Sequence, residues 1–232
     1  MRWLLLLLAS SLLSAEPFFT LIEPPKGWRI SNPSLYEKGV KITLIAPSKK
    51  GFTPSLTLSS EKVGEITYET YEHALKTLYR LDHFQKLGTF SSLAGTGHLY
   101  QIDRKSQWGE IRLLQGFILH RGYALILTGA LLKSDFLKFL ETYQAAFCSL
   151  QTFPSLLDSS HHPKLKEQIN KTEKKWKSLL ENASGSKAAL FRSSTFQEEE
   201  WIPALKVLKP ASECWKFLAL NHLKETLLSE ED

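Results

Sequence analysis

Cysteine is scarce in this chain, which holds two, Cys148 and Cys214, in 232 residues. Two thiols cannot build a four-ligand zinc knuckle, and no C-x-x-C redox pair exists. An excess of one charge is lacking as well. Lys and Arg number 29 against 24 Asp and Glu, a net charge of +5, too mild for a nucleic-acid binder. The sequence has no G-x-S-x-G elbow, H-E-x-x-H pair, P-loop or paired-glycine dinucleotide fingerprint. No catalytic residue, metal ligand or cofactor is expected on these grounds. What is present is globular composition, 43% hydrophobic and 11% aromatic, enough for one sizeable domain with an appendage.

The amino terminus carries an address. Met1-Arg2 supplies one positive charge, Trp3 to Leu8 is an unbroken apolar run, and Ala9 to Ala15 is small and apolar. This is the pattern of a secretory signal peptide, with cleavage expected after Ala15. A bilayer-spanning helix needs roughly 20 apolar residues, and Glu16 stops the run sooner. No transmembrane helix is expected after signal cleavage, and the mature protein is expected to be exported, periplasmic or secreted. Export bears on the cysteines, because oxidising compartments favour disulfides. Cys148 and Cys214 are either a bridge that ties the carboxyl-terminal segment to the main domain or two unpaired, inert thiols.

The chain divides near Pro154 into a domain over 16–154 and a helical extension over 155–232. In the first part Val40, Ile42 and Leu44 alternate with Lys41 and Thr43, the period of a half-buried strand. Leu56 and Leu58 alternate with Ser55, Thr57 and Ser59 in the same way, and Gly97 to Asp103 reads as a further strand. Ile111, Leu113, Gln115, Phe117 and Leu119 line one face of a long strand. His120-Arg121-Gly122 turns it and Tyr123 to Thr128 returns, a hairpin. Tyr68, Tyr71, Leu75 and Leu78 recur at helical spacing. Ser134 is the expected N-cap of a second helix carrying Phe136, Phe139, Leu140, Tyr143 and Phe147. Strands, helix, strands and a closing helix make an α+β fold, an antiparallel sheet flanked by helices.

Strand patterns end after Ser155. Leu165, Ile169, Thr172, Trp176 and Leu180 form a stripe on a helix that Pro163 opens. Thr195 with Glu198 matches a capping box, Pro203 shortens or kinks that helix, and Pro210 and Ser212 open a last one with Trp215, Leu218, Leu223 and Leu227. The domain balance is +4 and the extension is neutral, so neither part is a strong electrostatic magnet.

Few residues invite chemistry. Gly95-Thr96-Gly97-His98 is glycine-rich, but a strand follows it where a phosphate cradle needs a helix. His161-His162 reads as a solvated pair, and Lys49-Lys50 as loop charge. Asp82, His83 and His120 would make an enzyme site only if the fold brought them together. Trp28, after the turn at Gly27, reads as a core anchor.

The turn Gly27-Trp28, the strand pair after it, the helix opened by Thr67-Tyr68-Glu69-Thr70-Tyr71, the hairpin from Gly109 through Thr128 and the closing helix into Phe147-Cys148-Ser149 come in an order that resembles the PsbP-like superfamily. This is the α/β/α sandwich of the PsbP, DcrB and LpqN type, and the resemblance covers about residues 24–153. The texture is also similar to that of uncharacterised exported proteins of chlamydia-like bacteria. The resemblance implies domains that bind other proteins or lipids and mostly lack catalysis, and it transfers no residue-level site.

The leading expectation is an exported, non-enzymatic binding or envelope-associated protein acting through protein–protein contacts. Its partner would be a protein in the envelope or outside the cell, with no nucleic acid. Trp176, Trp201 and Trp215 are then offered to that partner, where buried aromatic anchors concentrate binding energy, or they fill the protein's own core. The alternatives are a lipid or small-molecule carrier with an apolar cavity and a secreted enzyme whose site forms only in three dimensions.

Overall fold

The computed structural model describes residues 16–33, 37, 39–47, 51–160, 163–182, 186–208 and 211–229. The signal-peptide reading of 1–15, Lys49-Lys50 and His161-His162 lie outside the described residues. The chain separates into two compact units. One is Leu21–Gln151; the other joins Thr152 onward to the segment that ends at Thr20. The amino-terminal stretch belongs with the helical unit. Phe18 and Phe19 are the reason, since both are fully buried and the Phe19 ring packs on Phe153, Trp215 and His222.

Strand β1 (Phe19–Leu21) begins the described chain. It is followed by β2 (Arg29–Ile30), β3 (Val40–Ile45) and β4 (Ser55–Lys62). Helix α1 (Tyr68–Leu78) comes next, capped by the Thr67 hydroxyl, which accepts from the Thr70 amide. Then come β5 (His83–Ser92), β6 (Gly95–Ser106), β7 (Gly109–His120) and β8 (Tyr123–Leu132). Helix α2 (Phe136–Cys148) and β9 (Gln151–Phe153) complete this part. Seven strands form one sheet in the order β2-β3-β4-β8-β7-β6-β5, and β1 pairs with β9. Every pairing in the seven-stranded sheet is antiparallel. The fold is α+β, as the sequence order implies.

The hairpin turns at Arg121 (φ 49°) and Gly122 (φ 78°), the positive φ pair of a two-residue turn that matches strand twist. Its Gly122 carbonyl accepts from the amides of both Val63 and Gly64 at 2.9 Å. Strand β5 is absent from the alternation pattern. It is the sheet edge, its side chains are mostly exposed, and a bulge interrupts its pairing between Lys86 and Gly88. His83 opens this strand and Asp82 precedes it. Helix α2 starts one residue later than expected, after a single tight turn over Lys133–Asp135, and Ser134 does not cap it.

The two sheet faces are filled differently. On the α1 face, Tyr71, Leu75, Tyr100, Ile102, Phe117 and Ala124 form the core, with the Tyr100 and Phe117 rings stacked at 5.8 Å. On the α2 face, Leu56, Leu58, Leu114, Leu127, Leu131, Tyr143 and Phe147 are buried. Glycines let the aromatic rings down onto this face. A Cβ on Gly97 would meet Phe90 at 2.5 Å, one on Gly116 would meet Phe90 at 2.8 Å and Phe147 at 3.1 Å, and one on Gly129 would meet Tyr143 at 2.6 Å. In register these three positions step by two residues from β6 to β7 to β8, a diagonal trough. Trp28 packs edge-on against Phe139 and Tyr143 at 6.2 and 5.8 Å, the core role its sequence context implies.

In the helical unit, α3 (Pro163–Asn182) buries Leu165, Ile169, Thr172 and Trp176, four of the five expected stripe positions. Helix α4 (Lys187–Phe191) is short. Helix α5 (Ser194–Phe196) is capped by Ser193, not by Thr195. It runs through one wide turn at Gln197–Trp201 into α6 (Ile202–Leu208). Pro203 lacks an amide hydrogen and its ring crowds the carbonyl four residues back, and the widened turn sits where that strain falls. Helix α7 (Glu213–Leu228) is capped by Ser212 and buries Cys214, Trp215, Leu218, Ala219, Leu223 and Leu227. Such an apolar spread round the helix marks a central element of its unit. Among the described residues, no helix is long and apolar enough to cross a membrane.

Candidate functional site

Three polar constellations stand out, two in the sheet unit and one in the helical unit. The first centres on Glu72, which α1 aims across the sheet at β6. Its Oε2 accepts from the Tyr100 hydroxyl at 2.9 Å and from Lys86 Nζ at 2.8 Å, and Lys76 Nζ lies 3.0 Å from its Oε1. Above all the Lys86 hydrogen bond, helped by those of Lys76 and Tyr100, holds this carboxyl down at about 2. Burial pushes the Tyr100 phenol up, so it keeps its proton.

That proton fixes the next link. The Tyr100 hydroxyl donates to Glu72, so at the 3.2 Å contact with His98 Nδ1 it has only lone pairs to offer. His98 Nδ1 must therefore carry the hydrogen and Nε2 the lone pair. Desolvation holds the His98 pKa below its ordinary value, in keeping with a neutral ring, and Tyr68 covers it at 4.5 Å. Tyr68 in turn donates to the Thr96 carbonyl at 2.8 Å and accepts from the Leu119 amide at 3.2 Å. The constellation is a closed strut between helix and sheet.

The second lies on the other sheet face. Asp103 accepts from Arg112 through both carboxylate oxygens, at 2.7 and 2.8 Å, with Lys133 Nζ 3.3 Å away. The Arg112 guanidinium lies 4.6 Å over the Phe136 ring. Hydrogen bonding from Arg112 lowers the Asp103 pKa, and the same pairing raises that of Arg112. A bidentate pair of this kind fixes geometry.

The third is a groove of about 690 Å³ lined by Glu167, Asn170, Lys171, Lys174, Lys175 and Glu200. Glu200 is 5% exposed. Its Oε1 lies 3.7 Å from Lys171 Nζ, beyond hydrogen-bond reach, and its Oε2 has no hydrogen-bond partner. Lys175 Nζ is 3.8 Å from Glu199. The groove lining is charged, unlike the apolar cavity a lipid carrier of the expected kind would need.

The residues singled out in the sequence fall elsewhere. Cys148 is exposed and Cys214 buried, and no disulfide joins them. Burial pushes the Cys214 thiol up to about 12, which leaves it unreactive. Trp176 and Trp215, 3% and 8% exposed, are not offered to a partner. Trp176 packs against Phe196 at 4.8 Å, and Trp215 donates its indole hydrogen to Ser159 at 3.1 Å. Trp201 is half-buried and packs edge-on to Phe191 at 4.9 Å. A sheet-free segment of this size has few large apolar groups, and its own core takes them first.

Asp82, His83 and His120 do not converge. Asp82 accepts from Arg104 at 2.6 Å. His83 pairs with Asp103, and Asp103 with Arg112, eight positions before His120 on β7, a separation of about 26 Å at the rise of a strand. Neither Glu72 nor Glu200 is visible as special in the sequence. Tyr100 lies 28 residues from Glu72 and meets it only through strand register, and the wide turn at Glu200 has no motif.

No protein-family model matches the chain, and no curated protein matches it. Solved structures do. LpqN of Mycobacterium tuberculosis, involved in cell envelope biogenesis, is 15% identical with a TM-score of 0.46 over 60% of this chain and 87% of its own. PA94 of Pseudomonas aeruginosa, of unknown function, is 15% identical with a TM-score of 0.40 over 56% of this chain and 95% of its own. The cyanobacterial PsbP of Synechocystis is 9% identical with a TM-score of 0.39 over 58% of this chain and 93% of its own. The likeness is one of fold. It passes no residue role to this chain.

Proposed function

We propose that this is an exported, envelope-associated, non-enzymatic binding protein that acts through protein–protein contacts. The groove on α3 supports this reading. It is concave and lined by charged side chains, three of them lysines of α3, whereas Glu72 and Asp103 are tied within the sheet unit. The sheet unit serves as the rigid platform, and the lysine-rich side of α3 is the contact surface in place of the tryptophans.

Two measurements test it. Fractionation with amino-terminal sequencing should find the protein outside the cytosol and beginning at Glu16. Immobilised protein should capture a specific partner from envelope extracts, and a variant with Lys171, Lys174 and Lys175 all changed to Glu should lose it. A cytosolic protein with its first fifteen residues intact, or capture indifferent to the three lysines, would sink the reading.

A further inference from the structure

Strand β5 closes one side of the seven-stranded sheet and has a neighbour on its β6 side alone. Along its ten residues the other side presents backbone donors and acceptors that no strand of its own sheet takes up, the feature through which a sheet extends into another chain. Edges are commonly blunted by brevity, by proline or by free charge. β5 is long and has no proline. Its one charged residue, Lys86, donates to Glu72 at 2.8 Å, so that charge is neutralised within its own copy. A bulge between Lys86 and Gly88 remains, and it sets a register.

Three exposed leucines mark the start, middle and end of this edge. Leu81 is 91% exposed just before the strand, Leu87 is 42% exposed at the bulge, and Leu93 is 77% exposed just after the strand. They stand six residues apart and six again, so the set reads the same from either end. A two-fold axis through the middle of the strand sets such a pattern on itself, the self-complementary contact of a homodimer.

The bulge keeps the faces in step. Ile102, Tyr100, His98 and Thr96 of β6 share the α1 face, and their β5 partners are Phe84 and Lys86 before the bulge and Thr89 and Ser91 after it. Antiparallel pairing of β5 with its copy then sets Phe84 opposite the partner's Ser91 and Lys86 opposite the partner's Thr89, with side chains on one common face. Leu87 and Gly88 lie at the axis. Each Leu81 falls with the partner's Leu93 just beyond the terminal pair of His83 and Ser92. The charges agree, because Lys86 faces a threonine and keeps its own Glu72.

We propose that the protein forms a homodimer by antiparallel pairing of β5 with β5 of a second copy, which joins two seven-stranded sheets into one. The contact uses residues of the sheet unit and does not depend on the reading of the α3 groove. One strand and three leucines from each copy make an interface smaller than the roughly 1,200–2,000 Å² of stable complexes, so the dimer is reversible, with a Kd on the order of tens of micromolar.

Sedimentation equilibrium of the full chain, run from well below to well above that Kd, tests it. Monomer and dimer should interconvert with no larger species, because a closed two-fold contact uses the edge of both copies. Leu87→Lys puts two ammonium groups beside the axis and should weaken dimerisation at least about tenfold. Leu81→Ser should weaken it severalfold. Both positions are exposed, and an unchanged denaturant midpoint in dilute solution will show that the monomer is intact. Disulfide trapping tests the register, with the exposed Cys148 removed as Cys148→Ser. A mixture of Leu81→Cys and Leu93→Cys copies should trap the mixed dimer, and either variant alone should not. A monomer at every concentration, a dimer indifferent to Leu87→Lys, or trapping of Leu81→Cys with itself overturns the proposal. So does a monomer whose β5 gains hydrogen-exchange protection only when envelope extract is added, which would assign the edge to a foreign strand.

Discussion

The sheet unit and the helical unit treat buried charge in opposite ways. In the sheet unit Glu72 is held by Tyr100, Lys86 and Lys76, and Asp103 by both arms of Arg112. In the helical unit Glu200 is more deeply placed than either and yet one oxygen goes without a hydrogen-bond partner. A carboxylate whose bonds are filled adds rigidity, whereas a buried one whose bonds are open costs stability. Each unit holds a buried side-chain oxygen without a hydrogen-bond partner, Gln115 Oε1 in the sheet unit and Glu200 Oε2 in the helical unit, but among the described residues the carboxylate left so is in the helical unit.

The strongest way to sharpen that contrast is Trp176→Ala, which empties the aromatic centre formed with Phe191 and Phe196. It should cost about 3–5 kcal/mol, read as lost hydrogen-exchange protection in α3 and α7. Equal loss in β6, β7 and β8 would break the division into two units. Next comes Gly129→Val, whose added carbons would press into the Tyr143 ring. A loss of about 3 kcal/mol is expected, measured as a lower denaturant midpoint with an unchanged slope.

Glu72→Gln should cost about 2 kcal/mol at neutral pH by removing charge-assisted bonds. The pH dependence has a fixed sign. Glu72 has its pKa depressed from 4.5 to about 2, so its contribution is complete above 4.5 and disappears as pH falls towards 2. Melting curves of Glu72→Gln should be flatter across that interval than those of the unchanged protein. The smallest effect has the opposite direction. Glu200→Met, close in volume and free of charge, should raise stability by about 1 kcal/mol. A loss of stability there would mean that Glu200 is structural, and the contrast between the units would fail.

Much of the scaffold is legible in the residues. The hairpin of β7 and β8 announces itself because alternation and an Arg-Gly turn agree. Helices α1 and α3 do so because their apolar positions recur at helical spacing. Strand β5 is silent because an exposed edge has no buried face to pattern, and its bulge shifts what alternation exists. The place of the amino-terminal stretch is hidden, because Phe19 joins the helical unit through rings far away in sequence. Both carboxylates that matter are illegible for the same reason. Glu72 acquires meaning from the register that places Tyr100 and Lys86 beneath it, and Glu200 from a helix turn that Pro203 distorts. The tryptophans stay open between core and partner surface, because the sequence shows that they are large but not which surface claims them.

The diagonal of Gly97, Gly116 and Gly129 has a mechanical consequence. Three strands together present bare backbone, and the side chains of Phe147 and Tyr143 drop into it like pins into a slot. For α2 to slide along the strands, both rings would have to climb over neighbouring side chains at once. Under tension the helix should hold its place until the sheet itself begins to part. The same slot makes the layer hard to re-index, so an insertion or deletion within α2 would throw both pins out of line.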